Sequence, residues 1–226
     1  MLEVHLLKRG LIVSCQAEEG SPFDDPIFIA AFAKAAELGG AVAVRIRDVK
    51  NIKAVRKEVK LPIIGLTKGT YPSGYVLITP RLKDVEELIK AGTDIIAIDA
   101  TSRIRPNGID GATFLREVKK RFDIPIIADI SDLNEGIKAA ESGADYISTT
   151  LSGYTEHSAA GYDKPDLELV KELAASVNLP VIAEGKFWTP EEAKTAIKLG
   201  AHAVCVGTAI TRPVEIVRRF VKALQE

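Results

Sequence analysis

The chain has 226 residues, of which 46% are hydrophobic, 27% charged and 6% aromatic. This composition is typical of a folded globular protein and excludes a disordered or membrane-embedded chain. The formal net charge is -1, from 30 basic and 31 acidic residues, so no broad basic field is available to attract nucleic acid. We therefore expect no nucleic-acid partner, and we expect any anion site to be local.

The N-terminal segment does not have the pattern of a leader peptide. Met1–Arg9 carries an early acidic residue, Glu3, and lacks the long apolar region of a signal peptide. Elsewhere no stretch reaches the roughly 18 apolar residues that a membrane span requires. Cys15 and Cys205 lie in apolar runs far apart, which favours buried free thiols in a reducing compartment. The expected location is cytoplasmic, with no membrane partner.

Eight short apolar runs, rich in Val and Ile, alternate with longer amphipathic segments. The runs are Gly10–Ser14, Ala41–Arg45, Pro62–Leu66, Asp94–Asp99, Pro125–Asp129, Asp145–Thr149, Pro180–Glu184 and His202–Gly207. Continuously apolar runs are typical of parallel strands that are buried on both faces. Eight such strands with helices between them predict an α/β fold, a single (β/α)8 TIM barrel of the phosphate-binding type, with residues 1–226 forming one domain.

Capping residues mark the expected helix boundaries. Thr189–Glu192 has the pattern of a capping box with proline at the first helical position, and Thr79–Pro80 predicts another helix start. Glycines in the left-handed conformation are expected to close four helices, at Gly39, Gly92, Gly143 and Gly200. The extra apolar stretch Gly74–Thr79 is interpreted as an excursion in the loop after the third strand, outside the barrel.

Polar side chains stand where the predicted strands end. In a (β/α)8 barrel the active site is built from the C-terminal ends of the strands. The residues at or just beyond those ends are Gln16, Arg45, Lys68, Asp99, Asp129, Thr149 with Thr150, Glu184 and Gly207. Because apolar strands need not end in polar residues, this ring predicts a site at one mouth of the barrel.

Two glycine-containing loops predict a phosphate site. The seventh run leads into Glu184–Lys186 and the eighth into Gly207–Pro213. Glycine lets backbone N–H groups approach an anion, a helix N-terminus adds partial positive charge, and this fold commonly holds phosphate at loops seven and eight. Lys186 and Arg212 would add side-chain charge. The alternative is that both glycines only form tight strand-to-helix turns.

Lys68 follows the third run and is the candidate for the central chemistry. Burial in a barrel mouth should lower the pKa of a lysine from about 10.4. Lys68 could then be a proton-transfer base, a Schiff-base nucleophile or a cation that steadies an enolate. The alternative is an exposed loop lysine beside Gly69 and Thr70, and the pattern alone does not decide between these interpretations.

Carboxylates also follow apolar runs. Glu184 and Asp129 can serve as acid–base groups, as metal ligands or as partners that hold Lys68 and Arg45, whereas Asp99 can also simply cap the next helix. Histidines too scattered to form a metal site are found at His5, His157 and His202. Carboxylates alone could bind magnesium, but their spacing does not demand it, so we expect no metal.

The long segment Leu151–Pro165 is expected to be a lid or a binding loop, because structureless segments of this length are uncommon in compact domains. Within it, His157 is interpreted as a polar surface residue in preference to a catalytic one. Trp188 is interpreted as packing beneath the seventh loop, and the alternative is that it lines a sugar face.

A family resemblance rests on eight segments taken jointly. They are Leu11–Ala17, Pro62–Lys68, Ala97–Thr101, Arg105–Gly108, Ala128–Ser131, Thr149–Thr155, Ile182–Gly185 and Val206–Pro213. Together they resemble the N-acetylmannosamine-6-phosphate 2-epimerase family over nearly the whole chain. Any one segment alone is a weak signal, whereas their joint occurrence is specific.

The resemblance implies interconversion of N-acetylmannosamine 6-phosphate and N-acetylglucosamine 6-phosphate in amino-sugar and sialic acid catabolism, with no metal or nucleotide cofactor. It implies Lys68 and Glu184 as the catalytic pair. The implied substrate contacts are Gln16, Arg45, Asp129, Thr150 and Ser152. The implied phosphate contacts are Gly185, Lys186, Gly207, Thr208 and Arg212. The expected partner is the phosphosugar, and the sequence leaves a homodimer open.

Three positions depart from the family pattern. The family usually has arginine at the position of Lys186, and lysine keeps the charge but loses the bidentate geometry. The dipeptides Phe187–Trp188 and Gly69–Thr70 also differ from the sequences that are usual at these places.

The implied chemistry is physically coherent. Ring opening makes C1 an aldehyde, so that a base can remove the C2 proton, and reprotonation of the enolate on its other face inverts C2. We expect Lys68 to carry the C2 proton and Arg45 to stabilise the enolate. Glu184 would move protons at the ring or C1 oxygen, or keep Lys68 in its working charge state. Whether one base acts or two stays open.

Two other functions are compatible with these residues. The first is a class I aldolase in which Lys68 forms a Schiff base with a phosphorylated keto sugar acid, and borohydride trapping would detect its covalent adduct. The second is a catalytically silent barrel that binds a phosphosugar as an interaction subunit. The ring of charged strand ends favours an enzyme, and a turnover assay separates these classes.

Overall fold

The structure is a computed structural model that describes residues 6–70, 76–156, 158 and 163–225. Its strands are β1 Gly10–Cys15, β2 Ala43–Arg47, β3 Ile63–Leu66, β4 Lys68–Thr70, β5 Val76–Ile78, β6 Ile95–Asp99, β7 Ile126–Asp129, β8 Tyr146–Ser148, β9 Val181–Glu184 and β10 Ala203–Val206. Eight of them form a closed barrel in the order β1-β10-β9-β8-β7-β6-β3-β2, and every neighbouring pair is parallel. The prediction of a (β/α)8 barrel is confirmed.

Helices follow the barrel strands and cover the outside of the barrel. They are α1 Pro26–Leu38, α2 Val49–Glu58, α3 Leu82–Ala91, α4 Gly111–Arg121, α5 Leu133–Glu141, α6 Leu167–Ser176, α7 Pro190–Lys198, α8 Thr208–Thr211 and α9 Pro213–Gln225. Across the described residues, no helix is both long enough and apolar enough to cross a membrane.

The eight predicted runs coincide with the eight barrel strands, although some boundaries differ. The largest difference is in the second strand, which begins and ends two residues later than the run Ala41–Arg45. Arg45 therefore lies in the middle of β2 and not at its end. Val42 lies just before β2, and its backbone N–H donates to the Leu11 carbonyl of β1 at 2.8 Å.

The apolar stretch after the third strand lies outside the barrel, as expected. Its strand β5 pairs antiparallel with β4, and together they form a separate two-stranded sheet. The pairing joins Lys68 to Ile78 and Thr70 to Val76. Lys68 is therefore the first residue of this hairpin, two residues after Leu66, at which the barrel strand β3 ends.

Of the six predicted helix caps, four are confirmed and two are wrong. Thr189 caps α7 with the predicted capping box. The predicted start at Thr79–Pro80 is wrong, because Arg81 is the N-cap of α3. Gly92, Gly143 and Gly200 have φ values of 98°, 95° and 110°. Gly39 is not left-handed, with φ of -77°, because the following Gly40 takes that conformation with φ of 86°.

Side chains along each strand alternate between the barrel interior and the surrounding helices. On β9, Ile182 belongs to the interior cluster, whereas Val181 packs with the helix-facing core. Glu184 has the same parity as Ile182 and therefore also points inward. The register places Cys205 beside Glu184 and Ala203 beside Ile182. An apolar layer thus fills the barrel beneath a layer of polar side chains at its C-terminal mouth.

Candidate active site

A cavity of about 1150 Å³ opens at the C-terminal mouth of the barrel. Ten of the residues that the sequence marks as site candidates line it: Gln16, Arg45, Lys68, Thr150, Glu184, Gly185, Lys186, Gly207, Thr208 and Arg212. A shallower depression of about 360 Å³ lies at the other end of the barrel, beside Arg9 and His202. It contains none of the predicted site residues, so the mouth cavity is the candidate site.

A buried arginine organises the centre of the cavity floor. Arg45 donates from both terminal nitrogens to Asp129, at 3.0 and 2.7 Å, and one of them lies 3.2 Å from Glu184 Oε2. Arg45 is 2% exposed and Asp129 is fully buried. Burial by itself would lower the pKa of Arg45, but the charges of Asp129 and Glu184 outweigh it, so the net effect raises that pKa. The guanidinium is therefore a fixed positive charge beneath the cavity.

Glu184 is the carboxylate that faces the cavity. Thr149 holds its backbone, because the Thr149 hydroxyl donates to the Glu184 carbonyl at 2.9 Å and accepts from its N–H at 3.0 Å. Burial raises the pKa of Glu184, with Asp129 acting in the same direction and Arg45 against it. Oε2 contacts Arg45 as an ion pair but lacks hydrogen-bond geometry there. Thr150 and Cys205 also interact with this carboxyl group, so protein groups hold it in place at the cavity.

Lys68 lies in the cavity wall with a depressed pKa. Burial, followed by the charges of Arg212, Arg47 and Arg45, lowers the pKa of Lys68 to about 8, and Glu184 opposes this more weakly. The side chain is nevertheless exposed, since the cavity is open to solvent. The charges of the neighbouring arginines therefore disfavour the charged amine even where water reaches it. An amine with a pKa near neutrality can both accept and return a proton.

The two glycine-containing loops stand at one side of the cavity. Gly185 has φ of 108° and Lys186 has φ of 61°, so the chain takes a left-handed turn directly after Glu184. Lys186 Nζ lies 5.0 Å from the centre of the Tyr154 ring. The other loop begins at Gly207, where α8 starts, and the first N–H groups of a helix have no partner within it. Arg212 follows, with Nε 3.2 Å from Glu18.

Not every candidate reaches the cavity surface. Asp129 lies behind Arg45 and accepts a hydrogen bond of 2.5 Å from Thr150, so it contacts the cavity only through these two residues. Ser152 donates to Asp166, the N-cap of α6, at 2.6 Å, and this bond directs its hydroxyl away from the cavity. His5 and His157 lie outside the described residues.

Asp99 belongs to a buried cluster next to the site. It is fully buried, accepts from Thr101 Oγ1 at 2.6 Å and pairs with Arg103 at 2.5 Å. The helix-cap interpretation of Asp99 is wrong, because Asp110 caps α4. Arg103 itself lines the cavity, so Asp99 contributes to the site through this arginine.

Sequence reasoning missed several lining residues: Ser14, Val76, Ile78, Arg103, Ile104, Phe187 and Cys205. The alternation of side chains along a strand could have identified Ser14 and Cys205. They lie two residues before Gln16 and Gly207, respectively, and share their orientation. For Trp188 the alternative interpretation agrees better with the structure, because Trp188 lines the cavity and carries the Arg219 guanidinium 4.4 Å above its ring centre. The described part of Leu151–Pro165 contributes to the wall.

The candidate site offers few metal ligands. No group of three or more His, Cys, Asp or Glu side chains within the described residues could hold a metal ion. Gln16 lies in the cavity wall and donates to Ser14 Oγ at 2.8 Å, while its own buried carbonyl oxygen has no hydrogen-bond partner. The polar groups that face the cavity are therefore suited to hydrogen bonding with an oxygen-rich ligand.

The fold and the site together define a (β/α)8-barrel enzyme whose polar cavity lies at the carboxyl ends of the strands and is flanked by glycine-containing loops seven and eight. The family described as "Putative N-acetylmannosamine-6-phosphate epimerase" matches residues 29–226. The chain belongs to this family of isomerases.

Curated relatives are similar to this chain over almost its full length. A protein of Caldanaerobacter subterraneus subsp. tengcongensis is 52% identical over 224 residues, covering 99% of this chain and 94% of that protein. One from Clostridioides difficile is 44% identical, covering 97% of each chain. Both are named "Putative N-acetylmannosamine-6-phosphate 2-epimerase".

Two solved structures are similar. The N-acetylmannosamine-6-phosphate 2-epimerase from Clostridium perfringens, which has been characterised structurally and biochemically, superposes with a TM-score of 0.90 at 43% identity, over 96% of this chain and 94% of that one. Thiamine phosphate pyrophosphorylase from Pyrococcus furiosus superposes with a TM-score of 0.63 at 17% identity, over 91% of this chain and 89% of that one. The second likeness concerns the fold alone.

Proposed function

We propose that this chain interconverts N-acetylmannosamine 6-phosphate and N-acetylglucosamine 6-phosphate by proton transfer at C2. The observation that carries the proposal is the cavity, in which Lys68 with a lowered pKa and Glu184 with a raised pKa surround the same space. Environments that move the pKa values of two groups toward neutrality are typical of acid–base catalysis. Membership of the epimerase family favours this reaction over the aldolase.

Lys68 and Arg45 have different roles in the removal of the C2 proton. With the sugar ring open and C1 an aldehyde, neutral Lys68 takes the proton from C2, and the electron pair of the C–H bond passes to the C1 oxygen. Arg45 lies beneath the cavity as a fixed cation and stabilises the enolate charge. Return of a proton to the opposite face of C2 completes the inversion. The step replaces one proton at C2 by another and therefore needs no redox partner.

Glu184 serves the ring oxygen and the C1 oxygen. A carboxyl group with a raised pKa holds a proton more readily than an ordinary glutamate, so it can donate a proton during ring opening and accept one on closure. We assign this exchange to the carboxyl group of Glu184, which lines the cavity. Gln16 and Thr150 line the same space and would bind sugar hydroxyl groups, while Asp129 holds Arg45 in place. We assign no substrate contact to Ser152, since its hydroxyl bonds to Asp166.

The phosphate group would lie between the loops after β9 and β10. Gly185, Gly207 and Thr208 would offer backbone N–H groups, and Lys186 and Arg212 would offer charge. These five residues line one continuous cavity together with Lys68 and Glu184. Phosphate held there fixes one end of the open-chain sugar, so that C2 is presented to Lys68 in each turnover.

Solvent exchange tests the reaction directly. With either phosphosugar in D2O, NMR should detect deuterium at C2 together with the second epimer, and the rate should be unchanged by EDTA. Lys68→Ala should abolish both signals while leaving thermal unfolding cooperative. Epimerisation without deuterium, or wild-type turnover in Lys68→Ala, would contradict the enolate route through Lys68.

Borohydride separates the epimerase from the aldolase. Schiff-base chemistry would leave a substrate-dependent covalent adduct on Lys68 after reduction, detectable by mass spectrometry of the peptide that contains it. We expect no adduct under conditions in which C2 exchange is rapid. Binding of a phosphosugar with neither C2 exchange nor turnover would instead favour the binding-subunit interpretation.

We further propose a homodimer, located in the cytoplasm, with residues 1–226 as one domain. The helix α9 supports the dimer, because none of its residues is buried. Val217, Phe220, Val221 and Leu224 are 60%, 68%, 47% and 87% exposed. Their spacing places these four side chains on one face of the helix. An exposed apolar stripe of this kind is typical of a surface that another protein copy covers.

A further inference from the structure

Thr79 is a strained residue that directly follows Ile78, the pairing partner of the candidate catalytic Lys68. It is fully buried and has φ of 46°, in the left-handed region. That region is a genuine outlier for a β-branched side chain, and Pro80 after it disfavours helical conformations further. The surrounding structure must therefore enforce this conformation, and strained residues of this kind concentrate at functional sites.

Two hydrogen bonds connect Thr79 to the residue that precedes Lys68. The Thr79 N–H donates to the Thr67 carbonyl at 2.9 Å, and the Thr67 N–H donates to the Thr79 hydroxyl at 3.3 Å. We call this reciprocal pair the Thr67–Thr79 clasp. It lies where the chain leaves β3 and enters the hairpin, and the next pair in the ladder is Lys68 with Ile78.

We propose that Thr79 is a positioning residue, whose hydroxyl holds the Thr67–Thr79 clasp and thereby fixes Lys68 in the cavity wall. This inference rests on the proposed role of Lys68 in C2 proton transfer. The second hydrogen bond depends on the side chain of Thr79, since the backbone alone supplies only the first. Without the hydroxyl, the Thr67 N–H loses its partner and the start of β4 loses one of its two tethers to Thr79.

The position of Lys68 matters because charges face it from several elements. Arg45 and Arg47 lie on β2, Arg212 follows α8, and Glu184 ends β9. The three arginines favour the neutral amine, and this effect falls as the amine moves toward open solvent. A displacement of about 1 Å in a catalytic group can reduce turnover by as much as about 100-fold. Loss of the clasp should therefore alter both turnover and the ionisation of Lys68.

Substitutions at Thr79 separate the hydroxyl from the strain. Thr79→Val keeps the shape and removes the hydroxyl, whereas Thr79→Gly removes the hydroxyl and relieves the positive φ. We expect kcat to fall about 10–100-fold in both variants, with KM changed by less than about threefold. Thr79→Ser, which keeps the hydroxyl, should restore kcat to within about threefold of wild type.

Thr93→Val is the matched control. Thr93 is also a buried threonine, 8% exposed, but its hydroxyl has no hydrogen-bond partner and it lies at the opposite end of the barrel, before β6. We expect wild-type kcat in this variant. Thr79→Gly should fold even if Thr79→Val does not, since glycine accepts the left-handed conformation without a steric penalty. Wild-type kcat in folded Thr79→Gly would overturn the proposal.

An NMR titration tests the positioning role of Thr79 independently of the reaction assay. Lysines labelled by reductive ¹³C methylation report their own ionisation, and Lys68→Arg identifies the Lys68 signal. We expect the Lys68 midpoint, about 8 in wild type, to move upward in Thr79→Gly and to stay unchanged in Thr93→Val. An unchanged midpoint in Thr79→Gly would overturn the positioning role, whatever the activity assay shows. A wild-type enzyme without epimerase activity would instead contradict the proposed function.

Discussion

Lys68 has to be close to several cations and still able to release its proton. Burial, together with the charges of Arg212, Arg47 and Arg45, makes the charged amine unfavourable, and two of these arginines, Arg212 and Arg45, line the cavity and favour an anionic ligand there. A lone lysine in solvent would stay protonated until about pH 10.4 and would be a poor base near neutrality. The cation cluster therefore serves substrate capture and base strength together.

The pH dependence of turnover should report this lowered pKa. If neutral Lys68 acts first, kcat/KM rises with pH by about tenfold per unit below pH 8 and levels off above it, because kcat/KM follows the ionisation of the free enzyme. A rise that continues to about pH 10 would mean an unperturbed lysine. The measurement is initial rate against pH at low substrate, and a profile without a limb near pH 8 would contradict the assignment.

The Arg45–Asp129 pair should contribute to stability as well as to catalysis. Asp129→Ala leaves the buried guanidinium without its bidentate partner, and removing one member of a buried ion pair typically costs about 3–5 kcal/mol. Urea unfolding should show this loss. Glu168→Ala is the control, because its pair with Lys171 is exposed and worth about 1 kcal/mol or less. Equal effects in the two variants would contradict the structural role of Asp129.

The sequence predicts which residues line the cavity wherever the alternation of side chains along a strand fixes the direction of each side chain. Arg45, Glu184 and Gln16 reach the cavity because inward positions of parallel strands converge at one mouth. Ser152 shows the limit of this reasoning. It lies in a turn beyond β8, where no strand periodicity fixes its orientation, and its bond to Asp166 depends on a helix cap fourteen residues away.

At the scale of elements, the phosphate loops can be tested through a single fluorophore. Trp188 is the one tryptophan of the chain and lines the cavity beside the loop after β9. Titration with inorganic phosphate should change its emission with saturation. Lys186→Ala should weaken binding about 10–100-fold, because hydrogen bonds to charged groups are worth about 1.5–3 kcal/mol. Lys194→Ala, on α7 and not lining the cavity, should titrate like wild type.

The hairpin of β4 and β5 is the element that the sequence describes least well. Its apolar stretch was placed outside the barrel correctly, but nothing local indicates that it pairs with Lys68. The dipeptide Thr79–Pro80 resembles a helix start, yet Thr79 takes a left-handed conformation and bonds back to Thr67. Contacts between segments override local propensity here, and such contacts cannot be read from a short pattern.

At the scale of the whole molecule, the closed barrel follows from the number of apolar runs in the sequence. Eight apolar runs that need cover on both faces close on themselves, and pairing of β1 with β10 completes the ring. The fold is therefore predictable from the strand pattern alone. The surface of α9 is different, because its amphipathic pattern shows that one face requires cover but does not say which chain supplies it.

We predict that a second copy of the chain covers the apolar face of α9. Phe220→Glu with Leu224→Glu places two charges on the exposed apolar face, and light scattering after size exclusion should then give the monomer mass in place of the dimer mass. Lys171→Glu changes the net charge by the same amount on exposed α6 and should leave the dimer intact. Because Arg219 of α9 lies over Trp188, dissociation should also change the tryptophan emission. A wild-type protein that is monomeric at micromolar concentration would contradict the dimer, and the apolar stripe would then have to be covered by another partner or tolerated in solvent.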